Sequence, residues 1–389
     1  MTGPSLAFRR FGPNARLTDW EFAAAGFATA MGVGAMVLAM LANRSVGAWA
    51  VDGARNLTAA HNLLDGASIY TDPSYLYPPL AAALTAPILL LPVPLVVWAL
   101  FKLALLASST VRFLDGGLLA AVTAVTFLPV FQDTALGNFN VVIVVALTLV
   151  ATRKDRVLTG LPLGVAVAAL PKPIILCFLL WMAVWRRKAL LGAAGAAITS
   201  TGIAIAVAGP DQYGAWIATL RRAPETFSGG VPGDVGFTTS LPWAAPAIAA
   251  LAGVILVLAV WRLDQDASLT IALSAPMLMV PYLGLYSAVP LVLAAWSIRR
   301  MERAVLPPLV LVAQPLALLF LPALAMLVMA SGIALGLRRK SAPIEGRDVV
   351  REVAIRAAIT APPPRALAPA MAGQSAAVER STRATGDRP

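Results

Sequence analysis

The 389-residue chain holds one cysteine, one histidine and few charges. A lone cysteine, Cys177, excludes a disulfide framework and a thiolate metal site. A lone histidine, His61, makes neither a metal cluster nor a catalytic triad; it reads as a packed loop residue. The aspartates are too dispersed along the chain to suggest a metal cluster, so no metal is expected. No glycine-rich phosphate loop occurs, which argues against a soluble nucleotide sugar as substrate. Asp, Glu, Lys and Arg make up only 13% of the chain, where a soluble domain carries about 25%. Short alternating strands, the mark of a membrane β-barrel, are also missing, as are internal repeats.

What fills the chain instead is apolar: 59% of residues are hydrophobic and the mean hydropathy is +0.79. Runs of about 18 or more apolar residues recur, each long enough to cross a bilayer as a helix. This predicts an all-α polytopic membrane protein with about 12 transmembrane helices. The basic residues Arg9, Arg10 and Arg16 precede the first apolar run, at 21–41, and put residues 1–20 in the cytoplasm. The start is too long and polar for a signal peptide, so that run is expected to be retained. Residues 21–337 form the membrane domain, with a first outer loop at 43–78 and a second at 209–240. Further cytoplasmic ends are marked by Arg153, Lys154 and Arg156, by Arg186, Arg187 and Lys188, and by Arg299, Arg300 and Arg303. Residues 338–389 carry ten Lys/Arg against five Asp/Glu and read as a disordered basic tail. A surface helix is expected near 347–359. Both termini are then cytoplasmic. The net charge of +11 suits an anionic lipid surface; without aromatic platforms it does not suit nucleic acid.

One stretch stands apart, residues 50–91, AVDGARNLTAAHNLLDGASIYTDPSYLYPPLAAALTAPILLL. A helix from about 52 to 64, ended by Gly66, places Asp52, Arg55 and Asn56 on one face. Pro79 then suits the first turn of the next helix. Asp52 is either a carboxylate base or a helix N-cap. Arg55 either contacts a bound anion and tunes Asp52, or forms a loop salt bridge. Between 79 and 152 four apolar runs occur where topology needs an odd number of crossings, so one is re-entrant or fused with its neighbour. Polar 132–140 lies outside on this reading. Pro171-Lys172-Pro173 breaks an apolar run, and such backbone at membrane depth lies beside protein or a wet cavity. Lys172 there is either an anion ligand or a lysine snorkelling to the interface. Lys102, inside another apolar run, is a weaker second cation. Asn138 and Asn140 either bind hydroxyls or make a polar turn. Tyr70 and Tyr77 are candidates to stack on sugar rings, while Tyr75 reads as part of an interfacial aromatic belt. Spans are expected at 241–261 and 268–286.

These features, in this order, resemble glycosyltransferase family 87, integral membrane enzymes of the GT-C architecture that use polyprenol-phosphate sugars. The resemblance rests on Asp52 after the first span, the helix at 54–64, Gly66, Ile69-Tyr70, Tyr77-Pro78-Pro79, Gly137-Asn138-Phe139-Asn140, Lys172-Pro173 and Arg186-Arg187. It covers roughly residues 20–190. Later segments depart: Thr238-Thr239-Ser240 stands where the family often has Asn-Gln-Ser, and 274–286, SAPMLMVPYLGLY, lacks His and Trp. The resemblance implies a GT-C-like bundle in the cell membrane that transfers a hexose, most often mannose. The donor is a polyprenyl-phosphate sugar, without cofactor, and the acceptor is a glycolipid or lipid-linked glycan at the outer face. Asp52 would be the general base, with inversion at the anomeric carbon. Lys172, Arg55, Tyr70, Tyr77, Asn138 and Asn140 would bind substrate. The rival class, a transporter or lipid flippase, usually shows repeated halves with matched broken helices.

Overall fold

The computed structural model describes residues 18–42, 50–114, 117–226, 236, 241–280 and 284–341. The chain divides into two units, Met1–Lys340 and Ser341–Pro389, and the helices form the first. The expected segment before residue 18, the tail past 341 with its 347–359 helix, and Thr238-Thr239-Ser240 lie outside the described residues. Arg338, Arg339 and Lys340, read as the start of the tail, instead end the last helix.

Among the described residues every regular element is a helix. Thr18 and Glu21 start the first, α1 (Asp19–Ala42), as a reciprocal capping box: the Thr18 N–H donates to Glu21 Oε2 at 2.9 Å, and the Glu21 N–H donates to Thr18 Oγ1 at 3.2 Å. The amphipathic α2 (Val51–Leu64) follows and ends at Gly66. α3 (Pro79–Thr85) starts on the proline expected at its first turn and tightens into a 3-10 turn at Ala86–Leu90. α4 (Pro94–Phe113), α5 (Gly117–Val125), α6 (Leu128–Leu136), α7 (Asn140–Thr152), α8 (Val157–Ala169), α9 (Pro173–Trp185) and α10 (Arg187–Ala208) then succeed one another through short turns.

The stretch expected as a second outer loop contains a helix: α11 (Pro210–Thr226) begins directly after Gly209. α12 (Ala245–Arg262) leads to α13 (Gln265–Ser274) and the four-residue α14 (Pro276–Met279). The span expected at 268–286 is therefore not one helix. Pro276 has no N–H to continue the ladder, and beyond Met279 the chain is extended at Val280 and a 3-10 turn at Leu285–Ala288. α15 (Leu291–Met301), α16 (Leu306–Leu319) and α17 (Leu321–Ser341) complete the unit.

Five helices, α1, α4, α10, α12 and α17, are long and apolar enough to cross a membrane. α5 and α6, bent by 57° at Thr126-Phe127, make a sixth if taken as one broken span. These apolar helices make the chain a membrane protein. Of the four runs between 79 and 152, the first turns back. α3 starts beside the α2 loop, and after Val93 (φ 46°) the chain enters α4 with Leu95 packed against Gly53 of α2.

Polar groups gather at two ends. At one, Glu21 pairs with Arg299 and Arg303, Arg300 with Asp266, and Arg339 donates to the Arg300 and Met301 carbonyls. At the same end Arg186 donates to Ala151 O, and Asp155 accepts the Ala189 N–H. The opposite end carries α2, the loop 66–78, the 137–140 turn, Lys172 and α11. Beside the basic end, small residues bring α8 and α10 together: a Cβ at Gly160 would run into the Ala189 carbonyl, and one at Gly192 into that of Val157.

Two glycines set the site end. Gly137 ends α6 with φ +75°, and its Cα faces that of Gly53 so closely that a Cβ on Gly137 would lie 2.5 Å from it. Glycine tolerates both the left-handed backbone and the approach. We expect Gly137→Ala to lose at least about 1–2 kcal/mol from the backbone conformation alone, more from the collision with α2. Thermal unfolding in detergent checks this; a midpoint equal to wild type would refute the tight crossing.

Candidate active site

The Gly53–Gly137 contact lays the first turn of α2 across the C-terminus of α6, and the Ala50 N–H donates to Ala135 O at 2.6 Å. Asp52 thereby comes beside Asn138. Its Oδ2 accepts from Asn138 Nδ2 at 3.2 Å and its Oδ1 from Arg55 Nη1 at 3.3 Å. Ala50, not Asp52, occupies the N-cap position of α2, and no side chain caps it. The capping explanation for Asp52 thus fails. The side chain of Asp52 is 27% exposed. Burial pushes its carboxyl above the ordinary carboxylate range, against the pull of Arg55 and Lys172.

Arg55 forms the loop salt bridges expected of it. It touches Asp52 and also donates from Nε to Asp72 Oδ2 at 3.2 Å. Burial raises Asp72, but hydrogen bonds from Ser74 and the charge of Arg55 outweigh it and hold this carboxylate below its usual range.

Lys172 is the N-cap of α9, in extended backbone between two prolines. Its Nζ is turned toward the 138–140 turn. It donates to Asn138 Oδ1 at 2.9 Å and to Asn140 Oδ1 at 3.0 Å. The rings of Tyr77 and Tyr286 stand 5.7 and 5.5 Å away, within cation–π range. Among the described residues no carboxylate lies within salt-bridge distance of it.

Asn138 is the hub. Its Oδ1 accepts from Lys172 Nζ, from Tyr77 Oη at 3.0 Å and from the Phe139 N–H at 2.8 Å. Asp52, Arg55, Tyr77, Asn138, Asn140 and Lys172, six of the seven residues singled out from sequence, therefore form one connected network. Tyr70 stands one step away, donating its hydroxyl to Tyr77 O at 2.9 Å and packing on Tyr75 at 5.9 Å between centroids. Burial raises the Tyr70 phenol.

Three expectations change. Tyr75 is not in an interfacial belt: it is 2% exposed, packed with Ala59, Ile69 and Ala82. His61 is not packed; it is exposed and pairs with Asp65 at 3.3 Å. The aspartates are less dispersed than they first read, since Asp264-Gln265-Asp266 has an Asp-x-Asp spacing. Asp264, however, caps α13 by accepting from the Asp266 and Ala267 N–H groups, and Asp266 pairs with Arg300. Among the described residues no three His, Cys, Asp or Glu side chains are grouped to hold a metal.

Sequence reasoning missed Asp133. It is fully buried under the turn and pairs with Lys102 at 3.2 Å. Its one signal was an acidic side chain at the edge of an apolar run. Also missed was α11, which latches onto the loop: Gln212 Oε1 accepts from the Ile69 N–H at 3.3 Å, and Trp216 Nε1 donates to Leu76 O at 3.0 Å.

An apolar groove of about 280 Å³ adjoins the site, walled by α3, α4, α7 and α8. It begins at Trp98, Phe139 and Leu170 and follows Val142, Val145 and Leu149 along α7. A second cavity, of about 170 Å³, lies near Glu21 and is lined by none of the site residues.

The network thus sets a half-buried carboxylate and a lysine on either side of one amide, next to an oily groove. A family model, Glycosyltransferase family 87, matches residues 75–281, more than half of the chain, and that span contains Tyr77, Asn138, Asn140 and Lys172. Asp52, Arg55 and Tyr70 lie before it. No curated protein and no solved structure matches the chain. The chain belongs to glycosyltransferase family 87 and is a membrane glycosyltransferase.

Proposed function

We propose that the protein transfers a hexose, mannose before others, from a polyprenyl-phosphate donor to a glycolipid or lipid-linked glycan at the outer face of the cell membrane. The observation that carries this reading is the Asp52–Asn138–Lys172 chain, in which one amide donates to the carboxylate and accepts from the ammonium. Glycosyl transfer from a lipid phosphate needs a base at the attacking hydroxyl and positive charge at the departing phosphate. Asp52 takes the proton of the acceptor hydroxyl as its oxygen bonds to the anomeric carbon. The bond from that carbon to the phosphate oxygen breaks, its electron pair leaves with the polyprenyl phosphate, and Lys172 stabilises the charge formed. One direct displacement inverts the anomeric centre. Tyr70 and Tyr77 face the sugar, and Arg55 keeps the Asp52 carboxylate oriented.

The apolar groove at Phe139 and Leu170 supports a lipid-linked donor, because an isoprenoid chain leaving the site beside Lys172 finds hydrocarbon-like walls. The clustering of basic groups at the opposite end supports an outward-facing site with both termini inside. Five apolar helices of spanning length, with α5 and α6 as a broken sixth, support a polytopic bundle, and in our reading the shorter apolar helices beside them bring the GT-C-like count to about 12. No cofactor enters this scheme. The test is to incubate membranes containing the protein with radiolabelled polyprenyl-phosphate mannose and to scan extracted lipids. Labelled lipid glycans that depend on the protein are expected. Label that stays wholly in the donor, while another polyprenyl-phosphate hexose is consumed, would overturn mannose; no consumption of any would overturn the donor class.

A further inference from the structure

We infer that the buried pair Lys102–Asp133 positions the transfer site, by fixing which way the amides of Asn138 and Asn140 point. The inference rests on Lys172 serving as the phosphate-facing cation. Both side chains are 0% exposed, although each belongs to a residue type that is almost never fully buried unless paired. Every proton of the Lys102 ammonium is used: Nζ donates to Asp133 O at 2.9 Å, to Asp133 Oδ2 at 3.2 Å and to Asn138 O at 2.7 Å. Asp133 spends its other oxygen on α7. Its Oδ1 accepts from the Asn140 N–H and from Asn140 Nδ2, both at 2.9 Å.

The consequence is directional. Because the Asn140 NH2 group is held by Asp133, its carbonyl oxygen must face the other way, toward Lys172. Because Lys102 grips the Asn138 carbonyl and Asp133 O accepts the Asn138 N–H at 2.9 Å, the turn cannot roll. The Asn138 amide then has its NH2 on Asp52 and its oxygen on Lys172. Lys172 consequently meets two neutral carbonyl dipoles rather than a carboxylate, and its charge stays available to an anion. An aspartate at either asparagine position would cancel it. Neither Lys102 nor Asp133 reaches the reacting atoms, so both are positioning residues.

A buried ion pair can often be exchanged for apolar side chains without loss of stability, whereas removing one partner strands a charge. That separates positioning from mere support. Lys102→Met and Asp133→Leu singly should lower the unfolding midpoint. The double variant should recover part of it, because no charge is stranded although the Asn138 carbonyl and the Asn140 N–H lose their partners, yet remain about 100-fold slower in transfer, the scale of a misplacement near 1 Å. The acid limb of its pH–rate profile should also move upward, because Asn138 no longer holds Asp52. A double variant with both wild-type stability and wild-type rate would overturn the inference. A donor-independent arm keeps the test separate from the proposed chemistry: an experimental structure of the double variant should show the Asn140 amide turned away from Lys172. Retention of the wild-type contacts there would overturn the inference even if the donor assignment failed.

Discussion

Asp52→Asn should reduce glycosyl transfer by at least about 100-fold and toward 10⁴-fold, the range that a positioned general base contributes, while the protein inserts and folds as before. The surroundings make this substitution clean. The introduced amide still offers a carbonyl oxygen to Asn138 Nδ2, and Arg55 keeps its second carboxylate, Asp72. Burial disfavours the charged form of Asp52, so a neutral isostere relieves that cost rather than adding one. Unfolding midpoints of variant and wild type should agree or favour the variant. The sign of the pH dependence follows from the same shift. A base works as carboxylate, and a raised pKa means that activity fades as pH falls through a value above the usual carboxylate range. The acid limb of kcat/KM should therefore lie higher than for an exposed aspartate. Undiminished turnover in Asp52→Asn would remove the base from the scheme; an acid limb at ordinary carboxylate pH would remove the argument from burial.

Lys172→Met should cost about 10²–10³-fold in kcat/KM, the scale for one preorganised electrostatic contact to a developing anion. The loss should appear in both parameters, because a phosphate is anionic in the donor and more so as it departs. The site should survive the change. Asn138 Oδ1 keeps the Tyr77 hydroxyl and the Phe139 N–H, and Asn140 keeps both bonds to Asp133. Lys172→Arg should recover part of the rate by retaining charge, but not all, since a planar fork does not fit between two carbonyls and two rings built around a point donor. Steady-state kinetics against donor concentration reads both. Wild-type kcat/KM in Lys172→Met would return this lysine to a helix-end role.

The features legible from residues alone were those written locally. Apolar composition announced the membrane class, Pro79 the start of α3, Gly66 the end of α2, and the Pro-Lys-Pro break an unusual lysine. The site candidates were legible because polar residues in apolar surroundings are conspicuous. Tyr75 and His61 were misassigned for the converse reason: in a loop, nothing local says which side chain faces inward. Asp133 was overlooked because its neighbours Gln132 and Thr134 made it look like part of a wet turn, whereas the fold seals it under Lys102. The helix of α11 was hidden inside a stretch read as a loop, and its docking rests on Gln212 and Trp216 reaching a segment about 140 residues earlier.

By itself, then, the order of amino acids determined a helical membrane chain and the short list of polar groups that such a chain could not carry idly. Which of those groups meet was decided in three dimensions. Asp52 and Asn138 are 86 positions apart, Asn138 and Lys172 are 34 apart, and Lys102 and Asp133 are 31 apart. Contacts over such separations leave no periodic trace. They exist because two glycines let α2 cross α6 at backbone distance, and because a buried ion pair cannot leave its turn without stranding a charge.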